Sequence, residues 1–188
     1  MTTLQLIRNL AKWLEEQTAD LKFKRASEFS EVQAEGYQYK LTRPAVYELQ
    51  LPVNAAEHIE GGEENPITAP AIIVATGGET TLDTASGMIS TQIQLKIHTW
   101  NPGHHAEAEN GESVFSVDGE GWRDCVSFID TITKRLADAE FPGGASLTGE
   151  ITNALPDSDE NPYYPYYIGS IQFELQHFRR PKGDKFNT

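Results

Sequence analysis

The segment Met88–Trp100 constrains the fold more than any other part of the chain, because its residues alternate between two chemical classes. Apolar or β-branched side chains occupy the odd positions, namely Ile89, Thr91, Ile93, Leu95, Ile97 and Thr99. Polar side chains occupy the even positions between them, namely Ser90, Gln92, Gln94, Lys96 and His98. Successive side chains of a strand point to opposite faces of its sheet. This alternation therefore predicts a long strand with one buried face and one face in water.

Two amphipathic helices are predicted along with the strands. The first follows a cap at Thr2 or Thr3, and its apolar face consists of Leu4, Ile7, Leu10, Ala11 and Leu14. The second covers about residues 119–139 and has a wide apolar stripe, which is typical of a helix covered by a sheet. Its stripe consists of Trp122, Val126, Ile129, Thr133 and Leu136, with Cys125, Phe128 and Ile132 beside it.

The order of these elements indicates the fold class. Further strands are predicted at 32–40, 45–51, 69–75, 146–155 and 163–179, and hairpin-sized turns separate several of them. We therefore expect an α+β fold, with a mainly antiparallel sheet, both amphipathic helices packed on one face and long acidic loops. Residues 1–180 are expected to form a single domain, followed by a polar tail at 181–188. The loops at 54–66 and 104–116 are acidic and are expected to be mobile.

The composition of the chain argues against nucleic acid and membranes as partners. The chain of 188 residues has 28 acidic and 15 basic residues, which gives a formal net charge of −13. Tight binding to nucleic acid requires a basic surface, and this chain has the opposite charge. We therefore do not expect DNA or RNA as a ligand, and no specific nucleic-acid binding is expected. The sequence has no run of about 20 apolar residues, so no membrane helix is expected. Its single cysteine, Cys125, excludes an intramolecular disulfide and favours a reducing compartment.

Residues that could carry catalysis do not form a recognisable pattern. His104, His105, Glu107 and Glu109 have metal-ligand side chains, but adjacent residues point apart and no HExxH pattern supports them. Cys125 lies within the apolar stripe of the second helix, where a small buried hydrophobe is expected. We therefore predict no catalytic residue, no metal site and no cofactor. A small metal-dependent enzyme using the histidines remains the least favoured alternative.

An aromatic cluster precedes the last predicted strand. It comprises Tyr163, Tyr164, Tyr166 and Tyr167, interrupted by Pro165 and preceded by Pro162. Prolines have no N–H group to donate, which places this segment at a sheet edge or outside the sheet. The tyrosines can form a protein interface, pack on the core of the chain itself or, less readily, bind a small ligand. Together with Leu4 and Ile7 of the first helix, they are the predicted oligomer or partner interface.

The combination of these segments resembles a family of viral assembly proteins. The strand ending in Gln94–Trp100, the later helix around 122–136 and the run from Pro162 to Phe173, with its alternating Ile-Gly-Ser-Ile-Gln-Phe segment, carry this resemblance. The chain resembles the tail-terminator and tail-completion (neck) proteins of long-tailed bacteriophages over about residues 2–180. The acidic stretch at 54–66 departs from the family pattern.

The resemblance implies a structural role. The resemblance implies a small subunit that forms a hexameric ring, stops tail-tube polymerisation and joins the tail to the head. The implied partners are other copies of the chain, tail-tube proteins and head-completion proteins, in the virion and in the bacterial host cytoplasm during assembly. An acidic ring lets DNA pass without adhering to it, because like charges repel. A binding or adaptor module of a related contractile machine is the alternative function.

Overall fold

A computed structural model describes residues 1–27, 38–49, 69–107, 113–116, 119–156 and 163–178. Two helices and nine strands occur within these ranges. In chain order they are α1 (Thr3–Gln17), β1 (Phe23–Lys24), β2 (Leu41–Thr42), β3 (Ala45–Glu48), β4 (Ala71–Leu82), β5 (Met88–Trp100), β6 (His104–Glu107), β7 (Ser113–Ser116), α2 (Glu120–Ala137), β8 (Ser146–Ala154) and β9 (Tyr166–Phe178). Most of the strand predicted at 32–40, the loop at 54–66 and the tail at 181–188 lie outside the described residues.

A five-stranded sheet organises the molecule. Its strand order is β3-β4-β5-β9-β8, and every neighbouring pair is antiparallel except β3 and β4, which are parallel. β5 lies at the centre and pairs with β9 over its whole length, from Met88 opposite Phe178 to Trp100 opposite Tyr166. The strand predicted from the alternating pattern is therefore the central strand of the sheet, and its predicted bounds are confirmed.

Both helices pack on one face of this sheet. The odd-numbered side chains of β5 from Thr91 to Thr99 are buried on that face, as the alternation predicts. α1 covers β3 and β4, whereas α2 covers β5, β8 and β9. One continuous core includes side chains from both helices and from the strands beneath them. The fold is therefore α+β, as predicted, and burial of this apolar face is its main source of stability.

The face of α1 that meets the core differs from the prediction at one position. Thr2 caps the helix in a capping box with Gln5, as its sequence favours. Leu6 is 1% exposed and belongs to the core, whereas Leu4 is 46% exposed. The prediction is therefore wrong at Leu4. Both Leu4 and Leu6 are spaced three or four residues from other apolar residues of the helix, so the sequence alone does not determine which of them faces the core.

Two predicted boundaries are also corrected. The sequence predicts that β4 ends before Gly77, but the strand continues to Leu82 through an irregularity in its pairing with β5 between Thr76 and Thr80. A β-bulge absorbs extra residues without ending the pairing, and glycine favours it. The segment predicted as one acidic loop at 104–116 contains β6 and β7, which pair as an antiparallel hairpin.

Candidate interaction surface

The turn that leads into β9 displays aromatic side chains at one end of the sheet. We call residues 163–166 the tyrosine turn. Tyr163 is 63% exposed and Tyr164 is also exposed. The turn is closed by a hydrogen bond of 2.8 Å from the Tyr166 N–H to the Tyr163 carbonyl oxygen. The Tyr164 hydroxyl donates a hydrogen bond of 2.5 Å to the Pro102 carbonyl oxygen, so its ring is held in a fixed position.

The other two predicted interface tyrosines are less exposed. Tyr166 is half-buried and lies opposite Trp100 in the register of β5 and β9. Tyr167 is buried, and its ring packs against Gly121 in the first turn of α2. The sequence left open whether the tyrosines form an interface or a core. In the structure, Tyr163 and Tyr164 are on the surface and Tyr167 is part of the core, so Tyr167 is not available to a partner of this subunit.

Leu4 and Ile7 do not lie beside the tyrosine turn. Ile7 is buried in the core, so its place in the predicted interface is corrected. Leu4 is exposed in the first turn of α1, and this helix begins at the opposite end of β9, where the Met1 amino group donates a hydrogen bond of 3.0 Å to the Phe178 carbonyl oxygen. β9 has 13 residues, so the two ends of the sheet are about 40 Å apart.

A buried polar network holds the tyrosine turn in place. Asn101 follows β5 and is almost fully buried. Its N–H donates to the Pro165 carbonyl oxygen at 3.0 Å, and its side-chain amide donates to Oδ2 of Asp124 in α2 at 2.8 Å. Its Oδ1 accepts hydrogen bonds from Lys24 Nζ at 2.8 Å and from the Gly103 N–H at 3.0 Å. Asn101 thus connects β1, β5 and α2 through its side chain and contacts the tyrosine turn through its backbone N–H.

Aromatic rings continue this network. Lys24 Nζ lies 4.7 Å from the ring centroid of Tyr39, which is an attractive cation–π arrangement. The Tyr39 ring in turn meets Trp100 edge-on, with centroids 5.5 Å apart. Lys24 also donates to the Gly103 carbonyl oxygen at 3.2 Å, at the base of the β6–β7 hairpin. No local sequence pattern indicates the roles of Lys24 and Asn101, because their partners are distant from them in the chain.

The residues that were considered for catalysis and metal binding lie in different elements, with Cys125 in α2 and His104 at the start of β6. Burial raises the pKa of Cys125 to about 11, so its thiol is protonated and unreactive at neutral pH. His104 is exposed at the start of β6, and Glu109 lies outside the described residues. In the described parts of the chain, no three side chains of His, Cys, Asp or Glu are close enough to share a metal ion.

No known family model matches the sequence, and no curated protein matches it either. Within the described ranges, neither helix combines the length and the apolar composition that crossing a lipid bilayer requires.

Proposed function

We propose that this chain is a structural tail-assembly protein of a phage or prophage, without an enzymatic role, which ends the tail tube and joins it to the head. The observation that carries the proposal is the tyrosine turn, an exposed aromatic segment fixed in place by a buried network. Its physical properties suit a permanent docking surface, because rigid aromatic rings bury a large area at a small cost in conformational entropy.

The sheet supports assembly into a ring. β3 and β8 are its edge strands, and an exposed edge must be covered or paired to prevent uncontrolled association. Copies arranged around a closed ring, in the proposal a hexamer, cover such edges by repeating one contact. The proposed partners are therefore other copies of the chain, the tail-tube protein and a head-completion protein, in the virion and during assembly in the host cytoplasm.

The net charge of −13 supports a passage for DNA rather than a binding site for it. A ring that surrounds the genome must not hold it, and a surplus of carboxylates repels phosphate groups. Salt screens this repulsion over a distance of about 10 Å at ordinary ionic strength, so it acts on DNA that passes close to the protein surface.

Two exposed aromatic residues at opposite ends of β9 provide a matched test. Tyr163 and Phe178 are 63% and 64% exposed. We expect Tyr163→Ser to leave the fold intact, measured by circular dichroism, and to abolish ring formation and binding to purified tail tubes, measured by analytical ultracentrifugation and electron microscopy. We expect Phe178→Ser to retain both activities. If both variants assemble normally, or if both fail equally, the tyrosine turn is not the assembly surface and the proposal is wrong.

A further inference from the structure

Part of the face of the sheet opposite the helices is polar and almost without net charge, and the apolar Ile73 and Ile168 lie beside this part. We call this part the amide face. It is formed by side chains of three adjacent strands, namely Ser90, Gln92, Gln94 and Lys96 of β5, Ser170, Gln172, Glu174 and Gln176 of β9, and Thr148 and Thr152 of β8. Lys96, Gln92 and Gln172 are exposed, and Gln94 and Glu174 are half-buried. In a chain with a net charge of −13, these ten side chains include one lysine, one glutamate and eight uncharged groups. The exposed Glu150, in the irregular part of β8, lies at the border of this face.

The two charged residues have different surroundings. Glu174 accepts hydrogen bonds from the Thr148 hydroxyl at 2.9 Å and from the Gln176 amide at 3.4 Å, which fixes its carboxylate on the face. Lys96 has no salt-bridge partner within the described parts of the chain. Across those parts, the amide face thus presents a fixed negative group and an exposed ammonium group that makes no ion pair within the subunit.

The register places these two charges symmetrically about the middle of the face. Lys96 lies opposite Ser170, Gln94 lies opposite Gln172, and Gln92 lies opposite Glu174. We call each such pair of opposite residues a row. Lys96 is in the row on one side of the Gln94–Gln172 row and Glu174 is in the row on its other side, so the two charges are about 13 Å apart along the strands. They also lie on neighbouring strands, about 4.8 Å apart across the sheet.

This arrangement is complementary to itself under one two-fold rotation. The rotation axis lies parallel to the sheet, is perpendicular to the strands and passes above the Gln94–Gln172 row. Rotation by 180° about this axis stacks a second copy face to face on the first, with the Lys96 row of one copy over the Glu174 row of the other. Each Lys96 then lies above Gln92 of its partner copy, one strand spacing from Glu174. Two equivalent ion pairs form at once, as a two-fold interface requires. An axis along the strands gives no such pairing.

We propose that the amide face is a self-association surface that pairs two copies of this chain face to face about this two-fold axis. A second copy is the fitting partner, because repulsion between surfaces of like charge opposes contact elsewhere, whereas this face has balanced and self-complementary charges. The area is small and the side chains are polar, so the association is weak and sensitive to salt. This inference does not rest on the proposed function, which uses the tyrosine turn.

Charge reversal provides the main test, with sedimentation equilibrium at low ionic strength as the measurement. Lys96→Glu and Glu174→Lys each turn both ion pairs into repulsive contacts, and each is expected to weaken self-association at least about tenfold. If only the net charge of the chain governed self-association, the two variants would change it in opposite directions, because Lys96→Glu makes the chain more acidic and Glu174→Lys makes it less acidic. An equimolar mixture of the two variants is expected to form a heterodimer, since both pairs are restored between unlike copies.

Cross-linking tests the position of the axis without altering either charge. The thiol introduced by Gln94→Cys lies on the axis, whereas the thiol introduced by Ser90→Cys is four rows from its own symmetry mate. A short bis-maleimide is expected to link two copies of the Gln94→Cys variant but not two copies of the Ser90→Cys variant, and the buried Cys125 does not compete. Adding Tyr163→Ser to either variant removes the proposed ring contact and leaves this pairing unchanged. A strictly monomeric natural chain, equal cross-linking of both variants, or no heterodimer from folded charge-reversed variants would each overturn the inference.

Discussion

The Asn101 side-chain amide donates a hydrogen bond of 2.8 Å to Oδ2 of Asp124, and this contact fixes the first turns of α2 against the end of the central strand. The same amide accepts from Lys24 and Gly103 through its oxygen. A buried amide with all of these partners is expensive to disturb, because each group left without a partner has already lost its hydration. Asn101 contacts the tyrosine turn through its backbone, since its N–H donates a hydrogen bond of 3.0 Å to the Pro165 carbonyl oxygen, and the side-chain hydrogen bonds hold that backbone in place.

Asn101→Ala is expected to lower the free energy of unfolding by about 3 kcal/mol, since three side-chain hydrogen bonds are lost and two of them involve charged groups. Asn153→Ala is the matched control. Asn153 is half-buried and accepts one hydrogen bond, from the Thr133 hydroxyl at 3.1 Å, so its replacement should cost about 1 kcal/mol. Urea denaturation of both variants measures the difference. Equal losses in the two variants would show that the network around Asn101 contributes nothing beyond a single bond.

Gly121→Ala should destabilise the protein, although alanine usually stabilises a helix by about 1 kcal/mol relative to glycine. A Cβ atom at this position would lie 2.7 Å from Cδ2 and Cζ of Tyr167 and closer still to Cε2. We expect a net loss of about 2 kcal/mol, which is typical of an overpacked core. The melting temperature measures it. The Tyr167→Leu background removes the clash, and Gly121→Ala should cost much less there; an undiminished cost would place the strain elsewhere.

Leu4 and Ile7 make a matched pair on one helix. Ile7→Ala should cost about 3 kcal/mol because it leaves a cavity in the core, whereas Leu4→Ala should change stability by less than about 0.5 kcal/mol. Chemical denaturation of the two variants under the same conditions provides the measurement. A large loss for Leu4→Ala in the isolated subunit would mean that its exposed side chain is packed in solution.

Stability is expected to fall as the pH is lowered through about 6.5, because the half-buried His98 and the buried His177 must then take up protons. Burial lowers the pKa of His98 from its ordinary value of 6.5, and the nearby Lys96 charge lowers it further. Burial also lowers the pKa of His177, a backbone hydrogen bond to the Phe178 oxygen partly opposes this, and the Met1 amino group lowers it further.

The direction of this change in stability follows from the number of protons bound in the folded and unfolded states. A histidine with a lowered pKa in the folded state binds fewer protons than in the unfolded state, so its contribution is complete above about pH 6.5 and is lost as the pH falls towards the lowered pKa. Asp20, whose pKa is lowered by its hydrogen bond to Arg135, titrates below 3.8 and does not act in this window. Urea denaturation across the range should show a smaller decline for the double variant His98→Gln/His177→Gln. An identical pH profile would contradict the assignment.

The sequence predicted those parts of the fold that depend on a repeating pattern. The alternation in β5 located the central strand and its buried face. The wide apolar stripe of α2 correctly predicted a helix covered by the sheet, but the buried face is shifted around the helix. Trp122, Val126 and Thr133 of the predicted stripe are half-buried, whereas the residues predicted beside it, Cys125, Phe128 and Ile132, are fully buried. Both elements were located because burial of a continuous apolar face dominates their energy. In α1 the same reasoning failed at Leu4, since neighbouring leucines allow more than one helix face.

Other features depend on contacts between residues that are distant in the sequence. The role of Asn101 requires Lys24 and Asp124 to arrive from β1 and α2, and no local pattern predicts that meeting. The predicted interface tyrosines illustrate the same limit. Tyr163 and Tyr164 are on the surface, whereas Tyr167 enters the core, because strand register and the space left by Gly121 determine where each side chain lies. The sequence predicted an acidic loop in place of β6 and β7. Each of these strands has only four residues, which is too short for a clear alternation of apolar and polar side chains.

The position of β9 determines when the sheet can be completed during synthesis. β9 is the last strand of the described residues to be made, yet it lies between β5 and β8 and pairs with both. Until the ribosome has released it, the side of β5 away from β4 has no neighbour in this sheet and β8 has no strand of it to pair with. Pairing across such long sequence separations is slow, and unpaired strands are prone to aggregate. Nascent chains that stall before residue 166 should therefore depend on chaperones, while full-length chains can close the sheet in one late step.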